Sequence, residues 1–127
     1  MAYIPHPQHR NAAFASQKSQ WSISVLEETQ TFTSALAAEW TANDAVWGLY
    51  LVQAVPVILG TTALPNQFEV QIAKFVGNQG DWHGYPVAHW LAPYDRPAYA
   101  VLEKWRNGGI INKAKFAKIY RGKRCSL

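Results

Sequence analysis

Ten consecutive residues, Asp81-Trp82-His83-Gly84-Tyr85-Pro86-Val87-Ala88-His89-Trp90, gather two imidazoles, a phenol, two indoles and a carboxylate. Imidazoles exchange protons near neutral pH and a tyrosine hydroxyl donates a hydrogen bond, so His83 and His89 are a candidate acid and base, with Tyr85 beside them. Arg96, or Lys104 further on, is a candidate holder for a phosphate or transition-state anion. Such a set describes a small metal-independent ribonuclease, toxin-like in size, in which the 2′-hydroxyl of RNA is the nucleophile. The same residues also fit a structural role, with Trp82, Tyr85 and Trp90 covering a core edge and the histidines hydrogen-bonded or at the surface. In a regular strand over residues 87–91, His89 would share a face with Val87 and Leu91, while His83 would precede the strand.

Charge supplies a second, independent signal. Residues 1–95 carry three basic side chains against seven acidic ones, whereas residues 96–127 carry nine basic against one acidic. From Lys104 onward, Lys104, Arg106, Lys113, Lys115, Lys118, Arg121, Lys123 and Arg124 have no carboxylate side chain among them. A surface of that sign attracts polyanions and is weakened by salt. The primary functional expectation is therefore a non-catalytic binding protein whose basic C-terminal segment engages nucleic acid or an acidic partner protein; the ribonuclease is the alternative. Lysine and arginine here would touch phosphates and give affinity without sequence choice, since base-edge readers such as Asn and Gln are scarce after Asn112.

Other chemistries find less support. His6 and His9, His83 and His89, Asp81 and Cys125 match no standard zinc spacing, so no metal site is expected. No phosphate-loop glycine pattern, dinucleotide fingerprint or nucleophile elbow occurs, and no cofactor is implied. The single Cys125 cannot close an internal disulfide, which makes the reducing cytoplasm the expected compartment. Residues 1–10 lack the order of a signal peptide and read as part of an extended arm over 1–18. The apolar run from Ala45 to Leu59 is short for a membrane span and is interrupted by Gly48, Gln53 and Pro56, so it reads as buried core.

The elements that must position these residues follow from periodicity. Trp21, Val25, Phe32, Leu36 and Trp40 fall on one helical face, and Ser24 with Glu27 has capping-box spacing, so a long helix is predicted there, starting at Ser24 or a turn earlier at Ser19 or Ser22. After Asn43-Asp44 two readings compete, a short buried helix capped by Asp44 or a central strand over Leu49 to Ala54, and the Val, Tyr and Leu content of the run favours the strand. Gln67 to Val76 alternates apolar and polar residues, Gly77-Asn78-Gln79-Gly80 supplies a turn, and 87–91 reads as the returning partner.

The C-terminal third reads as two helices. Asp95 is a candidate cap and Pro97 a first-turn residue for the first, whose stripe is Ala98, Val101, Leu102 and Trp105; Gly108-Gly109 stops it. Asn112 can cap the second, which would turn Phe116, Ile119 and Tyr120 inward and its lysines outward. In outline this hairpin resembles a helix-turn-helix unit, a likeness of shape and not of family motif. The expected architecture is one α+β domain over 1–127: an N-terminal arm, one long N-terminal helix, a small mostly antiparallel sheet from segments near 49–59, 67–76 and 87–91, and a basic helical hairpin and tail over 96–127, with the helices on one sheet face.

Overall fold

The computed structural model describes residues 2–78 and 80–127. Along the chain come strand β1 (Ala2–Tyr3), two 3-10 turns (Pro7–Arg10 and Ala12–Phe14), β2 (Gln20–Trp21) and helix α1 (Val25–Ala37). The strands β3 (Thr41–Ala42), β4 (Ala45–Gly48), β5 (Leu51–Val52), β6 (Val55–Pro56), β7 (Gly60–Thr61), β8 (Glu69–Val70), β9 (Ile72–Asn78) and β10 (Asp81–Val87) follow. After a 3-10 turn at Pro93–Asp95 the chain ends in α2 (Tyr99–Asn107) and α3 (Lys113–Tyr120). The class is mixed α and β, with three helices and several small sheets among the described residues.

The principal sheet has the order β1-β10-β9-β4-β3, antiparallel throughout except that β1 lies parallel to β10. Its strands alternate between two cores. On one face Ala45, Trp47, Leu49, Ile72 and Val87 pack with Val101, Leu102 and Trp105 of α2 and Phe116 and Ile119 of α3. On the other, Val46, Ala73 and Phe75 pack with Phe32 and Ala35 of α1. Because successive strand residues point to opposite faces, this partition places α1 on one side of the sheet and the α2–α3 pair on the other. The expectation that all helices share one face is thereby corrected.

The first helix is internal and of moderate length, not a long N-terminal one: it spans 13 residues and starts at Val25. Ser24 fixes that start through a complete capping box, its hydroxyl accepting from Glu27 N–H at 3.1 Å while Glu27 Oε1 accepts from Ser24 N–H at 2.9 Å. Trp21 is therefore outside the helix, paired in β2 with Gly60 of β7.

Residues 2–18 are not an extended arm. They carry β1 and both 3-10 turns, and they are pinned by a carboxylate on α1. Glu28, fully buried, accepts from Arg10 Nε at 2.8 Å and from the Tyr3 hydroxyl. A buried carboxylate must find such partners or forfeit its charge, so the apolar face of α1 can carry Glu28 only with the arm folded over it.

The central segment also departs from its sequence reading. The strand of this segment that lies inside the principal sheet is β4, between β9 and β3, and Leu49 to Ala54 instead runs into the β5–β6 hairpin, which turns through Gln53 (φ 52°) and Ala54 (φ 66°). Two successive left-handed residues match strand twist in a two-residue loop. The 67–76 segment divides into β8 and β9.

The returning strand is 81–87, not 87–91. Gly80, at φ 89°, lets the chain reverse at once, so Asp81 already pairs with Asn78; Gln79 lies outside the described residues. Gly84 and Pro86 sit comfortably in this strand for separate reasons. A Cβ at Gly84 would collide with the Phe75 ring. Pro86 shares the outer strand edge with Trp82, whose carbonyl accepts from Ile4 N–H at 2.7 Å; β1 ends before Pro86, so no N–H is needed there.

The C-terminal helical hairpin is present, with different caps and one residue reversed. Ala98, not Asp95, is the N-cap of α2, whereas Asn112 Oδ1 accepts from Lys115 N–H at 2.8 Å and caps α3. Phe116 and Ile119 are buried, but Tyr120 is exposed, edge-on to Tyr99 and stacked on Phe116.

Candidate functional site

On β10, His83 and Tyr85 project from the same face as Val87, and the N-terminal segment brings two further imidazoles to them. The His6 ring lies 5.3 Å from His9 and 5.6 Å from His83, and His9 stacks on Tyr85 at 5.3 Å with the planes 16° apart. These four rings line a cavity of about 450 Å³ together with Lys18, Ser19, Thr62, Leu91, Tyr94 and Asp95.

Backbone contacts fix the polarity of two of the imidazoles. His9 Nδ1 lies 2.8 Å from the carbonyl oxygen of Ser19, an atom that can only accept, so Nδ1 carries the proton and Nε2 is the basic nitrogen. His6 Nδ1 instead accepts from Gln8 N–H at 3.3 Å, which leaves Nε2 as the N–H of the neutral ring. His6 is held this way because it caps the 3-10 turn that carries His9. Burial lowers the basicity of His9, with the Ser19 contact pulling the other way and His6, Lys18 and His83 adding to the lowering; His83 is lowered by burial and then by His6.

A polar chain backs the cavity. Tyr85 Oη donates to Asp95 Oδ1 at 3.4 Å, and Lys74 Nζ lies 3.9 Å from the same oxygen while donating to Tyr94 O at 2.6 Å. Burial raises the Asp95 carboxyl above its ordinary range despite Lys74, and raises the Tyr85 hydroxyl, with Asp95 adding to that rise. Tyr85 is thus a persistent hydrogen-bond donor, not a titrating group.

The other two catalytic candidates are elsewhere. His89 follows β10 in a turn, is 1% exposed, and donates from Nε2 to Lys123 O at 2.7 Å; it lines a separate cavity of about 130 Å³ with Gln71, Arg124 and the C-terminal residues. Burial is also the main cause lowering its basicity. Arg96 donates from Nη1 to Tyr120 O at 3.2 Å and packs against Gly122, tying the loop before α2 to the end of α3. The structure therefore joins His83 and Tyr85 and does not join either to His89 or Arg96. In the sequence, His6 and His9 stand out only for metal spacing. Their separation of three residues, on a turn started by His6 and Pro7, is the one local sign that both rings could face one side.

The basic segment sorts into engaged and unengaged cations. Lys104 reaches Glu39, with Nζ 2.8 Å from its carbonyl oxygen and 3.9 Å from its carboxylate. The Arg106 guanidinium lies 5.8 Å over Phe116, and Arg124 lies 4.2 Å over Phe68 and 5.0 Å from Trp90. Lys113, Lys118, Arg121 and Lys123 are exposed and Lys115 half-exposed, and none has an ion-pair partner among the described residues. At about 100° per residue, Lys113, Arg121 and Lys118 fan across the arc of α3 opposite Phe116 and Ile119.

Among the described residues, no group of three or more His, Cys, Asp or Glu side chains is arranged to hold a metal ion, and no helix is long and apolar enough to cross a membrane. Comparison with protein-family models, with curated proteins and with solved structures returns no match, so function must be argued from the geometry of these residues alone.

Proposed function

We propose that this chain is a nucleic-acid-binding protein whose contact surface is the outer face of α3 and the turn after it. The observation that carries this reading is the set Lys113, Lys118 and Arg121 on the outer arc of α3, with Lys115 on its flank and Lys123 just past the helix, none with an ion-pair partner among the described residues. Unpaired cations held on a rigid element attract a phosphate backbone at long range and release counterions on contact. The three buried apolar anchors Trp105, Phe116 and Ile119 hold that arc in place, so the charges act as a patch.

Binding of this kind is blind to base sequence, because lysine contacts go to phosphate oxygens. Affinity for labelled RNA or duplex DNA should fall by about 0.9 log unit per tenfold increase in salt for each phosphate neutralised on duplex. Lys113→Glu with Lys118→Glu should weaken retardation by roughly tenfold or more at low salt, with the circular dichroism spectrum and melting unchanged. Undiminished binding by that folded variant removes the reading. Absence of binding to either polyanion, with salt-sensitive capture of an acidic protein instead, replaces nucleic acid by an acidic partner.

A further inference from the structure

We propose that the cavity between the N-terminal segment and β10 is an acid–base site for single-stranded RNA, in which His9 is the general base, His83 the general acid and His6 the donor to the phosphate between them. This inference rests on the cavity and is independent of the α3 surface.

His6 neighbours both other rings, 5.3 Å from His9 and 5.6 Å from His83, and all three line the one cavity, so a group seated against His6 is within reach of both. His9 offers Nε2 as a lone pair because Ser19 O holds the Nδ1 proton, and stacking on Tyr85 fixes the ring. His6 offers an N–H at Nε2 because Gln8 N–H occupies Nδ1. His83 has no hydrogen bond from its ring to the protein among the described residues and is only partly buried, so it is free to carry a proton to a ligand. Lys18 adds positive charge on the same wall.

The nucleophile must come from the substrate. Ser19 is the nearest hydroxyl, with Oγ 3.3 Å from His9 Nδ1, but that nitrogen is already protonated toward the Ser19 carbonyl and cannot activate it. Thr62 Oγ1 accepts from Phe68 N–H at 2.9 Å and has no hydrogen bond to an imidazole among the described residues, so no base is set to take its proton. An anionic substrate that brings its own hydroxyl beside the phosphorus is an RNA strand. At the rim, Tyr94 is 74% exposed and Leu91 55% exposed, a platform for an unstacked base.

The step then balances without a co-reactant. His9 Nε2 takes the proton of the 2′-hydroxyl, and O2′ bonds to the adjacent phosphorus as the P–O5′ bond breaks. The leaving O5′ takes the proton of the His83 imidazolium, giving a 2′,3′-cyclic phosphate and a 5′-hydroxyl. His6 Nε2–H and Lys18 stabilise the extra charge on the non-bridging oxygens. Exchange with solvent returns both histidines to their starting states.

The test uses the full chain with end-labelled single-stranded RNA and the DNA oligonucleotide of the same sequence, both in EDTA at pH 6–7. The expected result is shortened RNA ending in cyclic phosphate and intact DNA, with the rate falling about 100-fold or more in His83→Ala and in His9→Asn. His9→Asn places an amide N–H where Nδ1–H stood against the Ser19 carbonyl, so it removes the base without removing that anchor; melting curves verify that both variants fold. Intact RNA overturns the proposal, as does cleavage that proceeds at the wild-type rate in both folded variants or that cuts the DNA equally. Mobility on the same gel reads the α3 surface separately, so loss of cleavage and loss of retardation are distinguishable.

Discussion

Arg10 Nε lies 2.8 Å from Glu28 Oε1, and the Glu28 side chain has no solvent exposure. The pair joins the N-terminal segment to α1, and the Tyr3 hydroxyl donates to the second carboxylate oxygen. It also sets the position of His6 and His9, which sit between Tyr3 and Arg10 in the chain. Replacing Arg10 by Met would leave a carboxylate sealed with only one donor. Such a change should cost about 3 kcal/mol of folding free energy, at the lower end for a broken buried pair because Tyr3 remains. Urea denaturation measures the loss, and limited proteolysis should show cleavage near residues 4–18 in the variant before the rest of the chain. Equal stability would mean that Arg10 contributes only packing.

Acid should weaken the fold over a defined window. His9, His83 and His89 all have folded-state values below the ordinary 6.5, burial being the largest cause for each. The unfolded chain therefore binds more protons as the pH falls through 6.5, and stability, flat at higher pH, declines toward pH 5.5. Asp95, raised by burial, acts in the opposite sense. The urea midpoint at pH 7.5 should exceed that at pH 5.5, and His89→Gln, which keeps an N–H for Lys123 O, should narrow the gap. A midpoint independent of pH would show that the three rings accept charge in the folded state without cost.

What the sequence disclosed was largely what depends on near neighbours. The Ser24 and Glu27 capping box, the Asn112 cap and the Gly108–Gly109 stop of α2, with Gly109 at φ 77°, are local devices, and each is where spacing placed it. The arm was opaque because the partners of Glu28 stand 25 and 18 residues away and a buried glutamate on a helix reads as a solvated one. Strand β10 was hidden by Gly84 and Pro86, which look like breaks until Phe75 is seen to need the space over Gly84. The cavity inherited both failures. Half of it depends on the arm and half on β10, so His83 and Tyr85 were visible as candidates while His6 and His9, which the arm brings to them, were not.

Arg124 separates stabilising charge from binding charge. Its guanidinium lies over Phe68 at 4.2 Å and beside Trp90 at 5.0 Å, and Trp90 in turn packs edge-on against His89 at 5.1 Å. Arg124→Ala strips that cover from two aromatic rings and should cost about 1 kcal/mol of stability, with a shift in tryptophan emission as Trp90 becomes wetter. Lys118 makes no ion pair among the described residues, and Lys118→Ala should leave stability unchanged while reducing the salt slope of polyanion binding by about 0.9 for each phosphate it no longer neutralises. Parallel melting curves and salt titrations of the two variants read both quantities. The reverse pattern, a salt slope that collapses without Arg124 and persists without Lys118, would move the binding surface from α3 to the C-terminal tail, because only a guanidinium that also reaches phosphate could carry the slope from its place over the rings.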